Sequence, residues 1–202
     1  MNFTDISVNA FTEALASKTS VPGGGGASAL AGSLGIALGD MVGEFTVGKK
    51  TYADVEEKMQ EMMRRAQDLR RELLLCVEED AKAFEPLSKA YALPKEDPQR
   101  DAVMEQCLKD AAMVPMKILR LSCEALEVLQ VFAKCGSRLM VSDAATGAAL
   151  CRAAIQGAAM NVKVNTKLMK DREFANTLDW EVAKSMKYTE LADEIFTSVF
   201  SG

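Results

Sequence analysis

Gly32, Gly35, Gly39 and Gly43 are spaced by three, four and four residues, so on a helix they share one side. Each costs roughly 1 kcal/mol relative to alanine in a helix interior, and four together cost roughly 4 kcal/mol. That is a large share of the ~5–15 kcal/mol that stabilises a typical domain. A helix carrying this cost has a use for a bare side: another helix packs at very short distance, or a ligand lies against the backbone. Just upstream, Pro22 leads into Gly23, Gly24, Gly25 and Gly26, which open the same apolar run. Glycine permits positive φ and close approach by another molecule. A helix start presents unpaired N–H groups and partial positive charge, so this loop suits an anionic or electron-rich ligand. The bland alternative, a flexible linker, seldom feeds straight into an apolar helix.

Two nucleotide-binding readings fail. Gly24, Gly26 and Ala29 formally satisfy a dinucleotide fingerprint, but that motif needs a strand before it. Here Ala16 to Pro22 reads as a helix end and a loop. A phosphate-binding P-loop needs Lys-Ser/Thr after its last glycine, and Ala27-Ser28 follows instead.

Hydrophobic content of 49% and a net charge of −5 describe a single globular domain over residues 1–202 that binds neither nucleic acid nor membrane. The apolar run Ala27–Gly39 stops at Asp40 and is too short to cross a bilayer; the N-terminus lacks a basic cluster, so no signal peptide is expected. Cys76, Cys107, Cys123, Cys135 and Cys151 show no C-x-x-C spacing, which favours free thiols and a cytoplasmic location. Histidine is absent altogether. Histidine-ligated metal sites and His-containing triads are therefore excluded, and acid–base work falls to a carboxylate, lysine, cysteine or tyrosine with a displaced pKa.

Apolar positions recur at helical spacing almost throughout, and no strand pattern is found. The expected fold is all-α, an antiparallel bundle of about five to seven long helices. A first helix is expected over Val8–Ser17 and a second over Gly26–Lys49. A third spans Tyr52–Leu93, disturbed at Pro86, and a fourth spans Arg100–Lys134, kinked at Pro115 and ended by Gly136. A fifth covers Asp143–Lys170, and Arg172–Ser201 forms one or two more.

On the third helix the inward seam reads Val55, Met59, Met62, Ala66, Leu69, Leu73, Cys76, Asp80, Ala83, Leu87. Asp80 is its one polar member. A buried carboxylate is costly unless paired, so it either meets a buried cation or belongs to an active site. On the fifth helix the seam reads Asp143, Gly147, Leu150, Ala154, Gly157, Asn161, Val164, Leu168, with Asn165 one turn beyond Asn161. Asp143 is open to two readings, helix N-cap or site residue. Asn161 and Asn165 either bond neighbouring helices or contact a ligand. Lys49 and Lys50 either complement a helix C-terminus or hold an anionic substrate tail.

Several of these segments resemble the cyclodeaminase/cyclohydrolase family of folate enzymes. They are Leu15 to Thr19, Pro22-Gly23-Gly24-Gly25-Gly26-Ala27-Ser28-Ala29-Leu30, Gly32, Gly35, Ala37-Leu38-Gly39 and Met41-Val42. The likeness continues through Thr46-Val47-Gly48-Lys49-Lys50, Asp80-x-x-Ala83-Phe84, Leu93-Pro94-Lys95, and Asn161-Val162 with Asn165 and Asp171. The family's members are helical homodimers that act on tetrahydrofolate derivatives without metal. The resemblance implies a methenyltetrahydrofolate cyclohydrolase, with formiminotetrahydrofolate cyclodeaminase as the alternative and a non-catalytic dimerisation module as a remote third. It implies catalytic roles for Asp80 and Asp143 and substrate contacts from Gly23, Gly24, Gly25, Gly26, Ser28, Lys49, Lys50, Asn161 and Asn165. No cofactor beyond the tetrahydrofolate substrate is expected. The fourth glycine and Ala27 look more like the stand-alone cyclohydrolases, and Asp40 stands where the family more often has serine.

Overall fold

The computed structural model describes residues 2–201, and among these every regular element is helical. After a 3-10 turn at Phe3–Asp5 come α1 (Val8–Ala16), α2 (Gly24–Glu44), a second 3-10 turn (Lys50–Val55) and α3 (Glu56–Tyr91). They are followed by α4 (Arg100–Cys135), α5 (Val141–Thr166), α6 (Arg172–Ser185) and α7 (Tyr188–Phe200). The body is an up-down bundle of α2, α3, α4 and α5. α2 runs against α3, since Gly25 meets Asp80 at one end and Gly43 meets Met63 at the other. It also runs against α5, with Gly24 beside Asn161 and Gly35 beside Gly147. Ile36, Leu73, Leu119, Leu126, Phe132 and Ile155 fill the core without exposure. α6 and α7 close the far side of α5 and α4.

The bare side of α2 is used for helix packing. A Cβ on Gly35 would lie 2.7 Å from the Gly147 carbonyl oxygen, and one on Gly147 would lie 2.5 Å from the Gly35 oxygen. The two backbones touch there. Gly39 and Gly43 admit Leu129, Phe132 and Met63. By length and apolar composition α2 would also suit a bilayer span, contrary to the shorter reading from Ala27–Gly39, but 61% of that stretch is buried in the bundle.

Several boundaries differ from expectation. α2 starts at Gly24 and ends at Glu44, so Lys49 and Lys50 lie beyond it, in a turn where Gly48 takes φ 75°. Thr46 fixes that turn: its hydroxyl donates to the Val42 carbonyl at 2.6 Å and accepts the Ser137 N–H at 2.8 Å. α3 begins at Glu56, not Tyr52, and α3 and α4 run on through Pro86 and Pro115. α5 begins at Val141, so Asp143 lies in its first turn and Met140 holds the N-cap position. Val164 and Leu168, expected inside, are 52% and 56% exposed. A seam written at 3.5-residue spacing drifts around a straight helix by about 20° per heptad. By the last turns the inner face of α5 has passed to Val162, Asn165 and Thr166.

Candidate active site

The expected site residues fall into two groups at opposite ends of α2. At its N-terminus, Gly23 takes the N-cap position in an extended conformation and offers no side chain to cap the helix. The cap comes instead from α3. Asp80 Oδ2 accepts the Gly26 N–H at 2.9 Å. The carboxylate is seated so closely that a Cβ on Gly25 would lie 2.1 Å from Asp80 Oδ1. Glycine at position 25 is therefore a steric requirement. Burial pushes the Asp80 carboxyl above its ordinary pKa, and the Gly26 N–H offsets this only in part. Among the described residues no lysine or arginine pairs with it, so the alternative of a buried ion pair does not hold.

From α5, Asn161 closes the other side. Its Nδ2 donates to the Gly157 carbonyl at 2.8 Å, and its amide lies 3.0 Å from where a Gly24 Cβ would be. Asn165 is buried and donates to the Asn161 carbonyl at 2.9 Å, with a longer 3.5 Å contact to Ala111 of α4. Asn161 thus borders the α2 N-terminus, and Asn165 braces it from behind. Ser28 is buried, and its hydroxyl donates to the Gly24 carbonyl at 2.6 Å. A Cβ on Gly157 would meet that hydroxyl at 2.2 Å. Gly157 is the residue that seam reading undervalued: it registers only as a small seam member, and its need for glycine comes from Ser28 on another helix. Asp171 caps α6, accepting the Phe174 N–H at 3.0 Å while Lys109 Nζ lies 2.6 Å away. Its role is structural.

Asp143, Lys49 and Lys50 lie at the other end. Eighteen residues of α5 separate Asn161 from Asp143, about 27 Å at the helical rise, and α2 itself spans about 30 Å. Within one chain Asp80 and Asp143 cannot act as a pair on one substrate. Around this far end lies a cleft of about 740 Å³ between the second 3-10 turn, the end of α4 and the end of α7. The Tyr52 hydroxyl accepts the Arg138 N–H there at 3.1 Å, which draws the Tyr52 pKa down. Thr51, Lys134 and Arg138 also line it. It is far from Asp80.

The fold and the first group of residues define a class: a helical bundle with a side-chain-free helix N-terminus facing one unneutralised carboxyl. The chain belongs to the formiminotransferase-cyclodeaminase family, whose profile matches residues 7–184. A methenyltetrahydrofolate cyclohydrolase of Methylorubrum extorquens is 37% identical over 172 residues, 83% of this chain and 83% of its own. The formimidoyltransferase-cyclodeaminase of Dictyostelium discoideum is 34% identical over 90% of this chain, which spans only 34% of that longer protein. The crystal structure of formiminotetrahydrofolate cyclodeaminase from Thermotoga maritima superposes with a TM-score of 0.90 and 29% identity over 98% of both chains.

Proposed function

We propose that this chain is a methenyltetrahydrofolate cyclohydrolase, converting 5,10-methenyltetrahydrofolate and water to 10-formyltetrahydrofolate in the cytoplasm, without a metal. The observation that carries the reading is the half-buried Asp80 carboxyl held on the bare N-terminal turn of α2. The methenyl bridge is a planar cation, and a carboxylate beside it lowers the energy of the bound substrate's charge and of the water that attacks it. Asp80, with its pKa raised by burial, takes a proton from that water as the oxygen bonds to the bridge carbon. The bond from the bridge carbon to N5 then breaks, N5 receives a proton from Asp80, and the formyl group stays on N10. One proton is released overall. The N–H groups of Gly24 and Gly25, ahead of the one that Asp80 takes, are left to meet developing oxygen charge. Asn161 supplies an amide for the pterin edge.

A second reading, formiminotetrahydrofolate cyclodeaminase, is favoured by the superposition on the Thermotoga protein over 98% of both chains. There N10 attacks the formimino carbon and ammonia leaves, with Asp80 moving the same protons. Separate incubation with the methenyl and formimino substrates distinguishes the two readings. The proposal expects loss of methenyl absorbance at a rate far above buffer hydrolysis and no enzyme-dependent ammonia release from the formimino compound. Ammonia release with slow methenyl hydrolysis would select the deaminase. Inertness toward both would leave the helical dimerisation module.

A further inference from the structure

The two side chains that flank the bare turn of α2 offer a ligand hydrogen-bond acceptors only. The Asn161 amide has one orientation, because only its NH2 can donate to the Gly157 carbonyl oxygen at 2.8 Å. Its Oδ1 is left without a partner among the described residues, 3.4 Å from where a Gly24 Cβ would be. Asp80 spends Oδ2 on the Gly26 N–H, and its Oδ1, seated against Gly25, has no partner among the same residues. An amide oxygen and a carboxylate oxygen therefore stand beside consecutive glycines. Asn165 adds no donor, since its Nδ2 faces the Asn161 and Ala111 carbonyls. Nearby cations are turned elsewhere. Lys117 pairs with Glu79 and Lys89 with Glu85. Lys82, two residues past Asp80 and so about 200° around α3, lines a separate groove with Glu78 and Glu85.

The donors at this turn are the Gly24 and Gly25 N–H groups, on a helix end that carries about half a positive charge. Ionised Asp80 brings a full negative charge, so the turn is left net negative by roughly half a charge. A group that fits here is flat, spreads a positive charge, and turns its hydrogens toward the two oxygens. We infer that the site is a receptor for the amidinium group, the planar N–C–N cation, and that it binds a free amidinium with no pterin or tail attached. The methenyl bridge is such a cation across N5 and N10, with a polarised C–H to offer an oxygen. A protonated formimino group is another, with N–H donors of its own. One recognition element then fits both candidate substrates, and what separates their reactions is the nucleophile, water or N10. A neutral amide has the same shape and N–H donors but no charge, so Asp80 discriminates against it. The choice of amidinium rests on the proposed folate reading; the acceptor-only pair of side chains does not.

Acetamidinium chloride is the probe, and acetamide, uncharged and of the same shape, is the control. Each is titrated into protein labelled with 15N-glycine, whose 13 glycine amides are followed by NMR. Acetamidinium should shift the Gly24, Gly25 and Gly26 signals with a Kd of about 1–10 mM, a range open to so small a ligand. Acetamide should bind at least tenfold more weakly. Asp80→Asn, which keeps an oxygen for the Gly26 N–H, should lose the response to acetamidinium. Asn161→Leu should weaken it about threefold, and Asn161→Asp, which adds a second carboxylate, should strengthen it. No shift with acetamidinium in wild type overturns the inference, as does an equal response to acetamide. Both outcomes are read on wild type, so a variant that fails to fold leaves the test standing. A folded Asp80→Asn that responds like wild type overturns it too. In turnover, acetamidinium should raise the KM for methenyltetrahydrofolate and leave kcat unchanged. Wild type that binds acetamidinium at the glycine turn yet turns over neither folate would fault the folate reading alone. Wild type that hydrolyses methenyltetrahydrofolate without competition from acetamidinium would overturn the inference alone.

Discussion

Asp80 and Gly25 form one device. The carboxylate replaces the missing N-cap of α2, and the missing Cβ at position 25 makes room for it. Gly25→Ala is expected to expel the carboxylate, break its bond to the Gly26 N–H and lower stability by about 1–3 kcal/mol, measured by urea denaturation. In Asp80→Ala the same glycine substitution should cost much less, because the clashing group is gone. The raised pKa of Asp80 has a kinetic sign. As the base it must be ionised, so kcat/KM falls as pH drops through a value above the ordinary aspartate range, and that acid limb disappears in Asp80→Asn. Asp40, more deeply buried than Asp80, has a different consequence. It is 8% exposed, and its Oδ1 has no hydrogen-bond partner among the described residues. Burial raises its pKa, with Arg70 and Gln67 pulling in the opposite direction. A raised folded-state pKa favours the fold below the unfolded value and loses that contribution as pH climbs through the folded one. At pH 8 Asp40 therefore weighs against folding. Asp40→Ser should raise the thermal midpoint by about 2–4 °C at pH 8 and by less at pH 5, measured by circular dichroism.

Among the elements, the α2–α5 crossing is the least tolerant of change. At Gly35 and Gly147 the obstacle to a side chain is the other helix's backbone carbonyl, which cannot rotate away. Gly35→Ala is expected to force the helices apart and cost about 3 kcal/mol or more, read from denaturant unfolding, despite alanine's better helix propensity. This is also where sequence reading reached furthest. The three-and-four glycine spacing identified a bare helix side, and the apolar periodicity of the long helices identified the bundle. What escaped was information that neighbouring segments do not hold. The helix end at Glu44 depends on Thr46 bonding to Ser137 of a distant turn. The exposure of Val164 depends on accumulated drift along α5, and the need for glycine at 157 depends on Ser28. The site was legible as a set of residue types: Asp80, Asn161 and the glycine turn are brought together by the structure. That Asp143, Lys49 and Lys50 stand a full helix length away could not be read from residue types, because spacing along each helix is silent about which ends of different helices adjoin.

At the scale of the whole molecule, the chain separates a half-buried acid from an end that carries Lys49 and Lys50 by the length of its central helix. All of it depends on Asp80 being more than a helix cap. The most direct measurement compares methenyltetrahydrofolate hydrolysis by wild type and Asp80→Asn, an isosteric change, with helicity and sedimentation recorded on the same samples. A group that carries the proton predicts a folded, identically associated variant whose kcat falls by about 10²–10⁴. A folded Asp80→Asn that hydrolyses the substrate at the wild-type rate would contradict the account.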